Sequence, residues 1–356
     1  MFLTEINIFF QSFSSDSVTA IFKFFSFIGS RNLTVLLIIP IVFAIHFRYG
    51  TILIHLVFWN GIITDFFKEI FALPRPFNVD ADVRLLGEGI PNPTPFKSMG
   101  AKSFFGGLPD QVIDYFREQG VRIGNIKSFG LPSGHTSNAV ALWGAVLLFF
   151  GKGSLSLSSG PLHPSSQRNY LKGWLTSIAS ICIIFIPLSR LYLGRHFLAD
   201  VLAGLLVGFM VLILFYKFVY RNEKLMDQLF KKAGYLKLNF KSILFAAYCL
   251  LFPFLLLLIP KINMSAAPAL LGLNCGFFLL WLRGLPQEGG TILQRFGRLV
   301  VAIVFFFGVS LTLKILVGLI FTHEPVVSEF IRLALTMFSV IWGAVEACIK
   351  LKLYRR

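Results

Sequence analysis

The sequence predicts an all-α integral membrane protein, a helical bundle of about nine transmembrane helices. Of its 356 residues, 56% are hydrophobic, 41 are Phe and only 14% are charged, a balance that one soluble core cannot absorb. Apolar windows of about 20 residues recur along the chain, each long enough to cross a hydrocarbon layer. The net charge of +16 sits in connections between those windows, not in a soluble segment interleaved with base-stacking aromatics. The charge therefore reads as topological, and no nucleic acid is expected as a partner.

Taken in order, residues 1–30 place Phe and Ile in a helical rhythm interrupted by SFSSDS, which reads as an interfacial amphipathic segment. Spans follow at 33–47 and 51–71, then the long connection 72–133, then spans at 134–151, 174–188 and 197–217. These make up an expected core, 31–217. A basic loop, 218–240, leads to an additional four-helix membrane region, 241–356, with spans at 241–260, 265–283, 298–321 and 328–349.

Arg48, Lys152, Arg168, Lys172, the run from Lys217 to Lys241, Arg283, Arg295, Arg298 and the tail KLKLYRR all fall on one side of these spans. The short connections opposite, PKINMS and THEPVVSE, hold one lysine between them. The basic side, with the carboxyl terminus, is therefore expected in the cytoplasm, and the loop 72–133 on the exoplasmic face. Cys182, Cys249, Cys275 and Cys348 all lie inside apolar runs without metal or disulfide spacing. The amino terminus lacks the basic start and small-residue cleavage site of a removable leader.

Within the long loop, LPDQVIDYFREQG reads as a helix capped by Gly120, with Val112, Ile113 and Phe116 forming an apolar stripe. Long ordered loops are usually functional. The stripe is expected near the mouth of a site, touching the non-phosphate part of a substrate; the alternative is that it docks on neighbouring spans.

Three polar stretches converge on the exoplasmic side of this layout: KEIFALPRP (Lys68 to Pro76), PSGH (Pro132 to His135) and SRLYLGRHFLAD (Ser189 to Asp200). Charges at a membrane edge are expensive and are kept mostly where they work. Lys68, Arg75 and Arg190 provide three cations suited to an anion with several oxygens, Arg as a planar fork and Lys as a point charge. Ser133 and Gly134 at a helix start expose free backbone N–H groups, a ready phosphate cradle. His196 and Asp200 stand four apart, so a carboxylate can take one ring N–H and leave the other nitrogen as a nucleophile. His135 is the second imidazole, able to protonate a leaving oxygen. A metal held by His135, His196 and Asp200 would be repelled by the three cations. His46, His55, His163 and His323 read as interfacial side chains, and Arg195 as facing headgroups.

These three stretches resemble the signature of the type 2 phosphatidic acid phosphatase superfamily, Lys-x6-Arg-Pro, Pro-Ser-Gly-His and Ser-Arg-x5-His-x3-Asp, without departure at any position. The resemblance runs over about residues 20–217 and includes FSFIGS ahead of the first span. It implies a phosphatase core and a metal-independent hydrolase without cofactor. His196 would be the nucleophile, Asp200 its orienting partner and His135 the general acid. Lys68, Arg75, Ser133, Gly134 and Arg190 would hold the phosphate. The layout is similar to the glucose-6-phosphatase branch and, in its extra carboxy-terminal spans and Glu69, to the sphingosine-1-phosphate phosphatase branch. The expected partners are a phosphorylated lipid substrate and membrane lipids. The rivals are a sugar-phosphate phosphatase, a lipid phosphotransferase, and a transporter or scaffold with an inactive core.

Overall fold

The computed structural model describes residues 1–87, 94–123, 129–148, 165–221, 240–257, 266–321 and 325–355. Among them all regular structure is helical, apart from one antiparallel bridge between Gln287 and Arg355. Six helices are long and apolar enough to cross a membrane: Phe47–Val79, Gly173–Tyr192, Leu198–Phe218, Ala266–Arg283, Ile292–Ile320 and Val327–Lys350. A bent pair, Asp16–Ile28 with Leu33–Ile45, makes seven if it is one span. The protein is thus a multi-pass helical membrane protein. Three of the expected windows, 134–151, 241–260 and 265–283, lie partly outside the described residues.

The chain divides into two units, Met1–Thr34 with Trp59–Phe215, and Val35–Phe58 with Tyr216–Arg356. The first contains α1 (Thr4–Ser12), α2 (Asp16–Ile28), the second half of α4 (Phe47–Phe71), α5 (Pro76–Val79), α6 (Asp110–Ile123), α7 (Gly134–Val146), α8 (Ser165–Tyr192) and α9 (Leu198–Arg221). α3 is Arg31–Pro40. The SFSSDS interruption is a helix boundary: the Ser15 hydroxyl accepts from the Val18 N–H at 3.3 Å, with Asp16 in the first turn.

α7 is the centre of this unit. Ala139 packs with Cys182 and Ile186 of α8, under Phe25 and Ile28 of α2. On another side α9 comes close because it carries glycines. A Cβ at Gly204 would lie 2.6 Å from the Ser133 carbonyl oxygen, and one at Gly208 2.5 Å from that of Ser137. Small residues at this spacing let two membrane helices approach backbone to backbone. α4 joins through polar side chains: the Ser137 hydroxyl receives the Asn60 amide at 3.2 Å and lies 2.9 Å from the Thr64 hydroxyl.

The second unit does not begin at the basic loop, because Val35–Phe58 belongs to it. Its partners explain why. Glu288 lies 2.7 Å from His46 and accepts the Arg48 N–H at 3.0 Å. The Tyr354 hydroxyl donates to the Phe43 carbonyl at 3.0 Å. His55 lies 3.0 Å from the amide oxygen of the buried Asn274 and 2.7 Å from the Thr51 carbonyl. His55 is therefore a partnered side chain within this unit and not an interfacial one. His163 and His323 lie outside the residues whose side chains are described.

Candidate active site

Hydrogen bonds of the main chain stitch the three polar stretches together. Gly130 N–H donates to the Leu73 carbonyl at 2.8 Å, tying the approach to PSGH onto the end of the first stretch. Ser133 N–H donates to the Asp200 carbonyl at 2.8 Å, tying PSGH to the third. Gly130 is required at the crossing: a Cβ there would lie 2.9 Å from the Asp200 carboxylate and 3.0 Å from the Pro74 carbonyl oxygen.

His196 and Asp200 are both buried, at 1% and 0% exposure. His196 Nδ1 lies 3.1 Å from Asp200 Oδ2, which also accepts the Phe197 N–H at 3.0 Å. An ionised carboxylate can only accept, so with Asp200 in that form Nδ1 carries the proton and Nε2 keeps a lone pair. Burial, followed by the charges of Arg75, Arg190, Lys68 and His135, holds His196 well below the usual imidazole range. The ring is therefore neutral, as a nitrogen nucleophile must be. Diethyl pyrocarbonate acylates only the neutral ring, so inactivation of the free protein is expected to proceed undiminished as pH falls to about 6.5, slowing only below it. Slowing that begins above that value would show a ring that gains its proton too early.

The cations surround the histidines. Lys68 Nζ lies 3.8 Å from the place where a Cβ on Gly134 would stand, so the glycine keeps a side chain from standing against the ammonium. Arg190, almost fully buried, donates to the Ser26 hydroxyl of α2. His135 is half-buried in the first turn of α7; burial, followed by the charges of Arg190, Lys68, Arg75 and Arg195, holds its ring well below the usual imidazole range. Arg195 is thus closer to the site than its reading as a headgroup residue implied. Ser133 is buried and accepts from the Thr136 hydroxyl at 3.0 Å.

The loop stripe is turned inward. Val112 and Phe116 are buried with Val79, Leu108 and Phe197, and Ile113 packs partly buried against them. The expectation that Val112 and Phe116 touch substrate gives way to the docking arrangement: apolar side chains gain more by closing on Phe197 than by lining a wet mouth. The stripe thereby backs the residue that follows His196. Its helix also runs on to Ile123 through Gly120, since a lone glycine costs a helix only about 1 kcal/mol.

Four contributors escaped the sequence reading. Ser26 bonds Arg190, and Gly29 packs so close that a Cβ there would sit 2.5 Å from Ile186 and 3.4 Å from the His135 ring. Asn7 and Gln11 of α1 bond the carbonyls around His196. Ser26 and Gly29 fall within FSFIGS. The signal for the other two was a polar pair four apart on one face of an amphipathic helix.

A bundle of membrane helices here gathers two histidines, a buried carboxylate and three cations at one end, an arrangement able to hold a multiply charged oxyanion. The family model described as "PAP2 superfamily" matches residues 49–224, and that described as "PAP2 superfamily phosphatase, transmembrane extension" matches 264–356. The chain belongs to the PAP2 superfamily. It is similar to a "Lipid phosphate phosphatase delta" of Arabidopsis thaliana, 35% identical over 103 residues, 29% of this chain and 22% of that protein. It is also similar to a "Phosphatidylglycerophosphatase B" of Bacillus subtilis (strain 168), 32% identical over 87 residues, 24% of this chain and 37% of that protein. The chain therefore matches well under half the length of either relative. No solved structure matches it.

Proposed function

We propose that the protein is a membrane phosphatase that hydrolyses a phosphate monoester or diphosphate of a lipid, working from the exoplasmic face through a phosphohistidine. The observation that carries this reading is the pairing of His196 with Asp200 beside Lys68, Arg75 and Arg190. His196 Nε2 attacks phosphorus while the ester oxygen leaves and takes a proton from His135, whose ring holds that proton once the negative charge of the bound phosphate offsets the surrounding cations. The three cations and the N–H groups at the start of α7 hold the phosphoryl oxygens as charge spreads over them. Water then attacks the phosphohistidine and gives its proton to His135. Inorganic phosphate departs and the ring is restored.

A lipid is favoured as substrate because the site sits at the end of membrane helices, where an acyl chain has a lateral way in. The names of the two relatives, each a lipid phosphatase in its own right, support the same class. The side follows from the loop charges. The test is phosphate release by the purified protein across lipid monophosphates, lipid diphosphates and sugar phosphates. Preference for a lipid supports the reading, and preference for a sugar phosphate overturns it. Transfer to a second lipid without free phosphate would make the protein a transferase. Because fixed cations do the work that a metal would, full activity is expected in EDTA. Loss to the chelator and recovery with added Mg²⁺ or Zn²⁺ would defeat the three-cation mechanism.

A further inference from the structure

α1 is an amphipathic helix turned inside out. Its polar Thr4, Asn7 and Gln11 are buried, at 2%, 0% and 2% exposure, while Phe9 and Phe13 are each 61% exposed. A helix bathed in water shows the reverse. Each buried amide has a task. Asn7 Nδ2 donates to the Leu191 carbonyl at 2.9 Å and to the His196 carbonyl at 3.0 Å. Two flanking acceptors require the donor end of the amide, so its orientation follows from chemistry. One turn on, Gln11 Nε2 donates to the Arg84 carbonyl at 2.6 Å and the Tyr192 carbonyl at 3.2 Å, and Gln11 Oε1 accepts the Arg84 N–H at 3.0 Å.

The carbonyls of Leu191, Tyr192 and His196 lie where α8 ends and the chain turns toward α9, where helix geometry leaves acceptors unsatisfied. The turn itself passes through Gly194 at φ +70, pressed against Gln11 and Arg84. Ahead of α1, the Met1 carbonyl accepts the Ala199 N–H at 3.3 Å, and the Phe2 ring meets the Phe197 ring edge-on at 5.4 Å. The residues on both sides of His196 are thus held from α1 and the two residues before it.

We infer that α1 is a strap: Asn7 is a positioning residue that aims the His196 ring, and the outer face of the helix is seated in the lipid interface. The lipid occupant is indicated by continuity. Next in the chain, α2 exposes Ile21, Phe24 and Phe27, and α2 is half of the bent pair counted as a seventh candidate span. The inference rests on His196 being the nucleophile. Its consequence is that the bilayer helps to hold the reactive ring in place.

The experiment uses the full chain in phosphatidylcholine vesicles. Asn7→Leu is expected to lower kcat by about tenfold to a hundredfold, the cost of a reactive group moved by a fraction of an ångström to an ångström, with KM unchanged and Tm lowered by the two carbonyls it strands. Thr4→Val, on the same buried face but set against Gly100, is expected to keep wild-type kcat. Wild-type kcat in Asn7→Leu overturns the strap. So does an equal loss of kcat in both variants, which reduces α1 to packing. Trapping the intermediate separates the two levels of the argument. Slow phosphorylation of His196 in Asn7→Leu supports the strap, whereas wild-type protein that is never phosphorylated there brings down the underlying reading. For the outer face, bimane on Phe9→Cys is expected to be quenched by nitroxide-labelled phosphatidylcholine, and an unquenched dye rejects the lipid contact.

Discussion

His196→Ala is expected to reduce phosphate release to background and to leave no phosphate trapped on the protein. Nε2 of this ring is the group that bonds phosphorus in the proposed reaction, and the other imidazole lacks its arrangement. His196 has Asp200 Oδ2 at 3.1 Å on its Nδ1, burial at 1% exposure, and cations on hand. The comparison variant is His135→Ala. It is expected to lose about 10²- to 10⁴-fold with a poor leaving group, the usual contribution of a general acid, and much less with a good one. Rapid-quench labelling with a radioactive lipid phosphate reads both. Phosphate recovered on His135 would exchange the two roles.

The second large effect is expected for Asp200→Asn: a fall in kcat of about 10⁴-fold, as when a carboxylate that fixes a catalytic imidazole becomes an amide. Oδ2 accepts from both the His196 ring and the Phe197 N–H, at 3.1 and 3.0 Å. An amide oxygen in that place can still accept both, but it carries no charge to stabilise the ring as it turns cationic on phosphorylation; flipped, its NH₂ faces the ring and selects the tautomer with the proton on Nε2, where the lone pair is needed. The main-chain bond from Ser133 to the Asp200 carbonyl is untouched, so the fold is expected to survive. Single-turnover kinetics beside a melting curve separate chemistry from stability. A loss smaller than about tenfold with an intact fold would mean that the ring finds its tautomer without Asp200.

Much of this site was legible because its chemistry is local. Lys68, Arg75, the PSGH turn, and the four-residue step from His196 to Asp200 each announce themselves in a short window, and apolar length places them at helix ends. What escaped was the non-local support. Asn7 lies 189 positions from His196, and Ser26 lies 164 from Arg190. Nothing in either window says which distant carbonyl or guanidinium waits for them. The loop stripe was seen as apolar, but periodicity tells which residues share a face and not what that face meets. Phe197 was the missing half of that contact. The units of the structure cross the linear order for a similar reason: partners such as Asn274, Glu288 and Tyr354 claim the segment around His46 and His55, which no short window shows.

That grouping of Val35–Phe58 with Tyr216–Arg356 has a consequence for how the protein is made. Synthesis is vectorial, so His46, Arg48 and His55 leave the ribosome long before Asn274 and Glu288 exist. The first apolar hairpin must wait in the bilayer with its polar side chains provisionally satisfied while the whole intervening stretch is inserted. Closing it later brings together positions as far apart as Phe43 and Tyr354, a loop of high contact order that sets a slow last step. The carboxy-terminal helices are therefore not an appendage that can be trimmed from a finished enzyme. A chain stopped after the basic loop would leave its earliest helices without their lasting partners, and quality control would meet it as an unfinished protein.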